Sequence, residues 1–290
     1  MKVYLNYSQE ELNRQYDQRS LVADTSPYFS TWSEATQHAK STFECRENIA
    51  YGDHRDEILD LYLPDRVEGG EELAPLLVFC HGGAWQRLTK DESGHMAAAY
   101  VPERVALAAL NFSLAPEKDL SLIVGQVRRA VLYLYENASD LMVNPKKFYV
   151  CGHSSGAHLA ANIAVTNWPA MGAPHDMIKG VTLVSGPYDL EPVRLSARND
   201  YLFLDESTAR ALTPQTHLRP GLPPAIFSWG GRELDEFQRQ SASLAEAWEN
   251  EGMAVQRLFF QDKNHFEMGC EHMDLNSSLA KATLIQIKGG

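Results

Sequence analysis

Short apolar runs alternate with longer stretches of helical period along most of this chain. Residues 76–80 are apolar on both faces, the pattern of a central parallel strand. Residues 105–112, 148–151, 181–186 and 224–230 read as further strands, and 255–260 as the last. Residues 57–63 alternate apolar and polar positions until Pro64, which predicts a half-buried strand. Between strands, Leu120, Val124, Val127, Val131 and Leu134 recur at three- and four-residue spacing and predict an amphipathic helix over 119–137. Helices are also expected over 236–250, over 271–287 and in the Ala-rich stretch after residue 155. Ser8 followed by Glu11 forms a capping box and predicts a helix over 8–19. Residues 20–40 have aromatic content without a clear period, and residues 68–72 read as a surface turn.

Strands that alternate with helices imply a mostly parallel sheet covered by helices on both faces. The expectation is one α/β domain over 1–290, with residues 1–42 packed on it. Residues 187–220 break the rhythm and predict a small cap insertion over the sheet's carboxyl edge, where such folds bind ligands.

Composition narrows the partners. The 290 residues carry 26 basic and 38 acidic side chains, a net charge of −12, with no Lys/Arg block. Nucleic acid and anionic membranes both need a basic footprint, so neither is expected. No apolar run approaches membrane-spanning length. The start of the chain is polar within a few residues and reads as lacking a secretory leader. The four cysteines are widely spaced, without a C-x-x-C pair, and read as reduced thiols of a cytoplasmic protein. A homodimer is left open.

The chemistry centres on Gly152-His153-Ser154-Ser155-Gly156, which lies between an apolar strand and an Ala-rich helix. That is G-x-S-x-G in the strand–turn–helix setting that lifts a serine hydroxyl above a sheet. A serine needs a base, and the base needs a third group to hold its tautomer. In the α/β-hydrolase order the acid and then the histidine follow the serine, each after a strand. His265 after strand 255–260 is the candidate base, and Asp235 after strand 224–229 the candidate acid. Glu233 is the alternative acid, Asp189 a weaker one, and His272 a distant alternative base. Acyl transfer also requires donors for an oxyanion. His81-Gly82-Gly83-Ala84-Trp85 after strand 76–80 suits that task, so Gly83, Ala84 and Ser155 are the expected N–H donors. Trp85 and Tyr188 are the expected pocket aromatics. His153 and His158 lack metal-ligand spacing, so neither a metal nor any other cofactor is expected.

With these residues in hand, the chain resembles the kynurenine formamidases (arylformamidases) of the serine α/β-hydrolase type, within the wider H-G-G-x-W esterase group. The matching stretches are 81–86, 111–117, 152–159, 233–237 and 264–266, and the likeness reaches back to residues 10–16. Ala84 departs from the family, which often has a bulkier aromatic residue there. The resemblance implies the triad Ser154, Asp235 and His265. It also implies hydrolysis of a small aromatic substrate, N-formyl-L-kynurenine, to L-kynurenine and formate in tryptophan catabolism. Esterase, amidase or carbamate-cleaving activity is the nearest rival, and a non-catalytic ligand receptor on the same scaffold the rival of another class.

Overall fold

The computed structural model describes residues 1–65 and 73–289, so the turn expected at 68–72 lies outside the described residues. Its main sheet has eight strands: β1 (Glu44–Ala50), β2 (Ile58–Leu63), β3 (Ala74–Cys80), β4 (Ala106–Leu110), β5 (Val143–His153), β6 (Ile178–Val184), β7 (Ala225–Gly230) and β8 (Val255–Phe260). Their spatial order is β1-β2-β4-β3-β5-β6-β7-β8. β2 runs antiparallel to both neighbours, and every other adjacent pair is parallel. This is the α/β-hydrolase fold.

The strands that are apolar on both faces do feed two cores. Leu76, Val78 and Cys80 of β3 point into one apolar layer, which also takes Val124, Val127 and Val131 from the helix Leu120–Glu136 and Leu159 from the helix Ser155–Ala164. Leu77 and Phe79 alternate into the opposite layer, against Met96, Tyr100 and Ile287. Period-two alternation thus serves helices on both sides of one strand. Among the described residues no helix is long and apolar enough to cross a membrane. All four cysteines are free, and burial pushes the thiols of Cys80 and Cys151 far up.

The structure departs from expectation where the buried stripe is polar. Residues 20–40 contain most of a 17-residue helix, Ser26–Thr42, with Pro27 in its first turn, where its missing N–H costs nothing. Its buried positions are Trp32, Thr36 and Ala39, and a stripe with one large apolar residue beside one polar and one small conceals the helical period. In β2, Asp60 is fully buried, so the alternating polar position does not mark a solvent face; it pairs with Lys40 at 2.9 Å and Lys90 at 3.1 Å. The edge strand β1 is charged and largely exposed, which hid it. The capping box at Ser8 is present, but its helix is only Gln9–Arg14, followed by a 3-10 turn at Gln18–Leu21. The expected closing helix is Ser278–Gly289, and a separate short helix, His265–Cys270, precedes it. Residues 187–220 hold three short helices, Leu190–Arg194, Asn199–Leu202 and Glu206–Leu212.

Candidate active site

The carboxyl ends of five adjacent strands, β3, β5, β6, β7 and β8, deliver Gly83, Ser154, Ser185, Glu233 and His265 to one edge of the sheet. Ser154 follows β5 at φ 57° and ψ −130°, a conformation that L-residues pay to adopt. The flanking glycines explain how the turn is held. A Cβ on Gly152 would lie 2.2 Å from the carbonyl oxygen of Gly156, and one on Gly156 would lie 2.0 Å from that of Cys80. Strand and helix therefore cross at a distance only glycine permits. The Ser154 N–H donates to the carbonyl of Val184 at 2.9 Å, tying the bend to β6.

His265 opens its helix directly after the N-cap Asn264, whose side chain accepts from the N–H groups of Phe266 and Glu267. The ring sits between a hydroxyl and a carboxylate: Nε2 is 2.9 Å from Ser154 Oγ, and Nδ1 is 2.5 Å from Glu233 Oε1. A carboxylate only accepts, so Nδ1 carries the proton and Nε2 offers its lone pair to the serine. Ser154 and His265 are 8% and 6% exposed.

The carboxylate that meets His265 is Glu233, not Asp235. Gly230 N–H and Ser185 Oγ–H each donate to Glu233 Oε2 at 2.8 Å, and the Glu233 side chain is wholly buried. Asp235 lies two residues on, in the first turn of the helix Asp235–Asn250, and is exposed; Leu234 occupies the N-cap. Its placement suits a negative charge near a helix N-terminus. Asp189 is also excluded as the acid, because it caps the helix Leu190–Arg194 and accepts from Tyr4 Oη at 2.9 Å. His272 is sequestered against Tyr100 Oη at 2.6 Å, where burial lowers its pKa to about 3.

The loop after β3 bends beside Ser154. Gly83, Ala84 and Trp85 all have positive φ, at 99°, 58° and 57°. A Cβ on Gly83 would lie 2.1 Å from the Arg87 carbonyl oxygen. Four hydrogen bonds hold the strained path. Trp85 N–H donates to Ser155 Oγ at 3.1 Å, Gln86 N–H to Gly83 O at 3.0 Å, Ala115 N–H to Trp85 O at 2.8 Å, and Tyr201 Oη–H to Ala84 O at 3.2 Å. Among the described residues the N–H groups of Gly83 and Ala84 have no protein acceptor. Ser155 is the first residue of its helix, where an N–H has no intrahelical partner.

His81 stacks on Phe112 at 4.1 Å and hydrogen-bonds the Gly82 carbonyl, and burial lowers its pKa to about 4. His153 and His158 diverge: Nε2 of His153 donates to the carbonyl of His265 at 2.9 Å, and Nε2 of His158 to that of Leu212 at 2.8 Å. Burial, reinforced by the neighbouring His265, holds His153 well below the usual histidine range and so neutral. Ser185, Gly230 and His153 were not legible as site residues, although Ser185 does follow an apolar strand, as the other site residues do.

Ser154 and His265 open into a cavity of about 510 Å³, shared with Gly82, Gly83 and Ala84. Its aromatic wall is not the expected pair. Trp85 is fully buried and packs edge-on against His158, and Tyr188 is buried against Phe227. Both rings belong to the main apolar core. The wall comes instead from Tyr16, Phe29, Trp32, Tyr201 and Phe266. The N-terminal residues also brace the acid loop: Gln18 Oε1 accepts from Leu234 N–H at 3.3 Å and Gln15 Oε1 from Glu236 N–H at 3.1 Å.

The BD-FAE family model matches residues 59–245. Kynurenine formamidase of Danio rerio is 32% identical over 298 residues, covering 99% of each chain. That of Salmo salar is 31% identical and covers 92% of each. Among solved structures, a protein of Silicibacter sp. TM1040 superposes with a TM-score of 0.81 at 25% identity, over 93% of this chain and 98% of that one. Full-length similarity, the eight-stranded order and the elbow converge: the chain is a hydrolase of the α/β-hydrolase fold and belongs to the kynurenine formamidase family.

Proposed function

We propose that this chain hydrolyses aryl formamides, with N-formyl-L-kynurenine as substrate, through a formyl-enzyme. The observation that carries the proposal is the unbroken relay from Ser154 Oγ through His265 to the buried Glu233 carboxylate, opening on a cavity with an aromatic wall. The curated relatives named above supply the choice of formamide over ester.

In this reading His265 Nε2 takes the Ser154 proton as Oγ attacks the formyl carbon. Charge on the tetrahedral oxygen is met by the N–H groups of Gly83, Ala84 and Ser155, with the N-terminus of the helix Ser155–Ala164 behind them. Glu233 stays ionised and stabilises the imidazolium. The imidazolium then protonates the arylamine nitrogen as the C–N bond breaks, and the amine leaves. Water enters, gives a proton to His265 and attacks the formyl ester; formate departs and Ser154 recovers its proton. A formyl group adds almost no bulk on the acyl side, so the cavity is available to the amine portion. Residues 187–220, which place Tyr201 over the oxyanion loop, serve in this reading as the lid.

The test compares kcat/KM for N-formyl-L-kynurenine and p-nitrophenyl acetate. The formamide is expected to be the better substrate, and a preference of about a hundredfold for the ester would overturn the reading.

A further inference from the structure

The cavity beside Ser154 carries three guanidinium groups, Arg19, Arg87 and Arg198, against two carboxylates, Asp17 and Glu92. This local excess of positive charge stands in a chain of net charge −12. Glu92 is already engaged, accepting from the N–H and hydroxyl of Thr89 at 2.9 and 3.1 Å. Arg19 and Arg87 are solvent-exposed, whereas Arg198 is half-buried.

Arg198 is held by neutral oxygens. One Nη donates to the carbonyl of Tyr16 at 2.7 Å and the other to Tyr201 Oη at 3.3 Å, while the guanidinium lies 5.6 Å from the Tyr16 ring centre. Arg194, on the same segment, pairs with Glu191 at 2.6 Å. Arg198 has no such carboxylate among the described residues, and its Nε–H is buried without an acceptor. A guanidinium that lines a cavity without a carboxylate partner is a seat for an anion. A carboxylate matches the guanidinium fork in both charge and geometry. Location points the same way, because Tyr201 Oη passes the chain of hydrogen bonds on to Ala84 O at 3.2 Å. The cation therefore stands two hydrogen bonds from the oxyanion loop.

We propose that Arg198 binds a carboxylate on the leaving portion of the substrate, so that the cavity selects carboxylate-bearing arylamines over neutral ones. Assigning the carboxylate to the leaving portion rests on the formamidase reading; the anion site itself does not.

The experiment is isothermal titration of the full chain with L-kynurenine and with 2-aminoacetophenone, the same arylamine without the amino-acid group. L-kynurenine is expected to bind wild type at least about tenfold more tightly, the factor a charged hydrogen bond supplies, and Arg198→Met to bring the ratio near one. Because the readout is a ratio within one protein, damage that weakens both ligands equally overturns the proposal, as does a ratio that survives in R198M. If R198M fails to fold, Arg198→Lys decides: loss of the fork should cut the ratio at least about threefold, and an unchanged ratio rejects the assignment. Arg19→Met should keep the preference; its loss there would place the carboxylate on Arg19 instead. If N-formyl-L-kynurenine is not hydrolysed while L-kynurenine still binds preferentially through Arg198, the formamidase reading falls and the carboxylate site stands.

Discussion

Glu233 and Ser185 meet at 2.8 Å across two neighbouring strand ends, hydroxyl to carboxylate, on the side of the acid turned away from His265. Ser185 itself has a positive φ of 53°, so the chain accepts a strained residue at the point that anchors the acid. The anchoring leaves Oε1 free for His265 and fixes the carboxylate plane.

Replacing Glu233 by Gln should therefore cost far more than replacing Asp235. The Glu233→Gln amide can donate to Nδ1 and favour the wrong tautomer, so kcat for p-nitrophenyl acetate should fall by about 10³ to 10⁴. Asp235→Asn should remain within about threefold, as expected of an exposed first-turn charge. The opposite ranking would show that the acid is assigned to the wrong residue.

Ser185→Ala removes one donor to a buried carboxylate, a loss of about 1.5–3 kcal/mol for a charged hydrogen bond. The expected result is a kcat about tenfold lower with KM little changed, since no substrate contact is lost. A KM effect with kcat intact would contradict a positioning role.

The elbow glycines should be intolerant in proportion to what their absent Cβ would strike. Gly156→Ala meets the backbone oxygens of Cys80 and His81 at 2.0 and 2.4 Å and should cost at least about 3 kcal/mol, seen as a lower urea midpoint or loss of the folded protein. Gly172→Ala, at φ 84° with open space around it, should cost only about 1 kcal/mol. Similar losses at the two sites would refute the steric account.

Stability should decline on the acid side well before carboxylates titrate. His81, His95 and His158 are buried, and desolvation lowers each pKa to about 4; His272 falls to about 3. A folded pKa below the unfolded value of about 6.5 means that the unfolded chain binds more protons. These histidines therefore stabilise the fold above about pH 6.5 and progressively less as pH drops toward 4. Each can steepen the slope by up to about 1.4 kcal/mol per pH unit. Urea midpoints that stay flat between pH 7 and 5 would argue against neutral burial.

How much of this was legible depended on whether the cause lay nearby in the chain. Ser154 could be read because the elbow is encoded within five residues by steric demands on Gly152 and Gly156. His265 could be read because it follows the last strand. The choice between Glu233 and Asp235 could not, because it depends on a turn closed from elsewhere. Arg232 N–H donates to Lys263 O, Glu233 N–H to Gly230 O, and Ser185 draws the carboxylate inward. Those bonds curl Glu233 under the sheet edge and start the next helix with Asp235 facing water. Trp85 and Tyr188 mislead for a related reason: closeness in sequence to a site does not say which way a ring turns. Part of the true wall, Tyr16, Phe29 and Trp32, lies more than a hundred residues before Ser154.

The leading part of that wall has an engineering consequence. The BD-FAE match covers residues 59–245, so it takes in Ser154 and Glu233 but leaves out both His265 and the stretch that shapes the cavity from Tyr16 to Trp32. Transplanting the leading forty-odd residues from a relative should retune substrate preference without touching a reacting atom, whereas a bulky fusion placed there should change selectivity before it changes turnover.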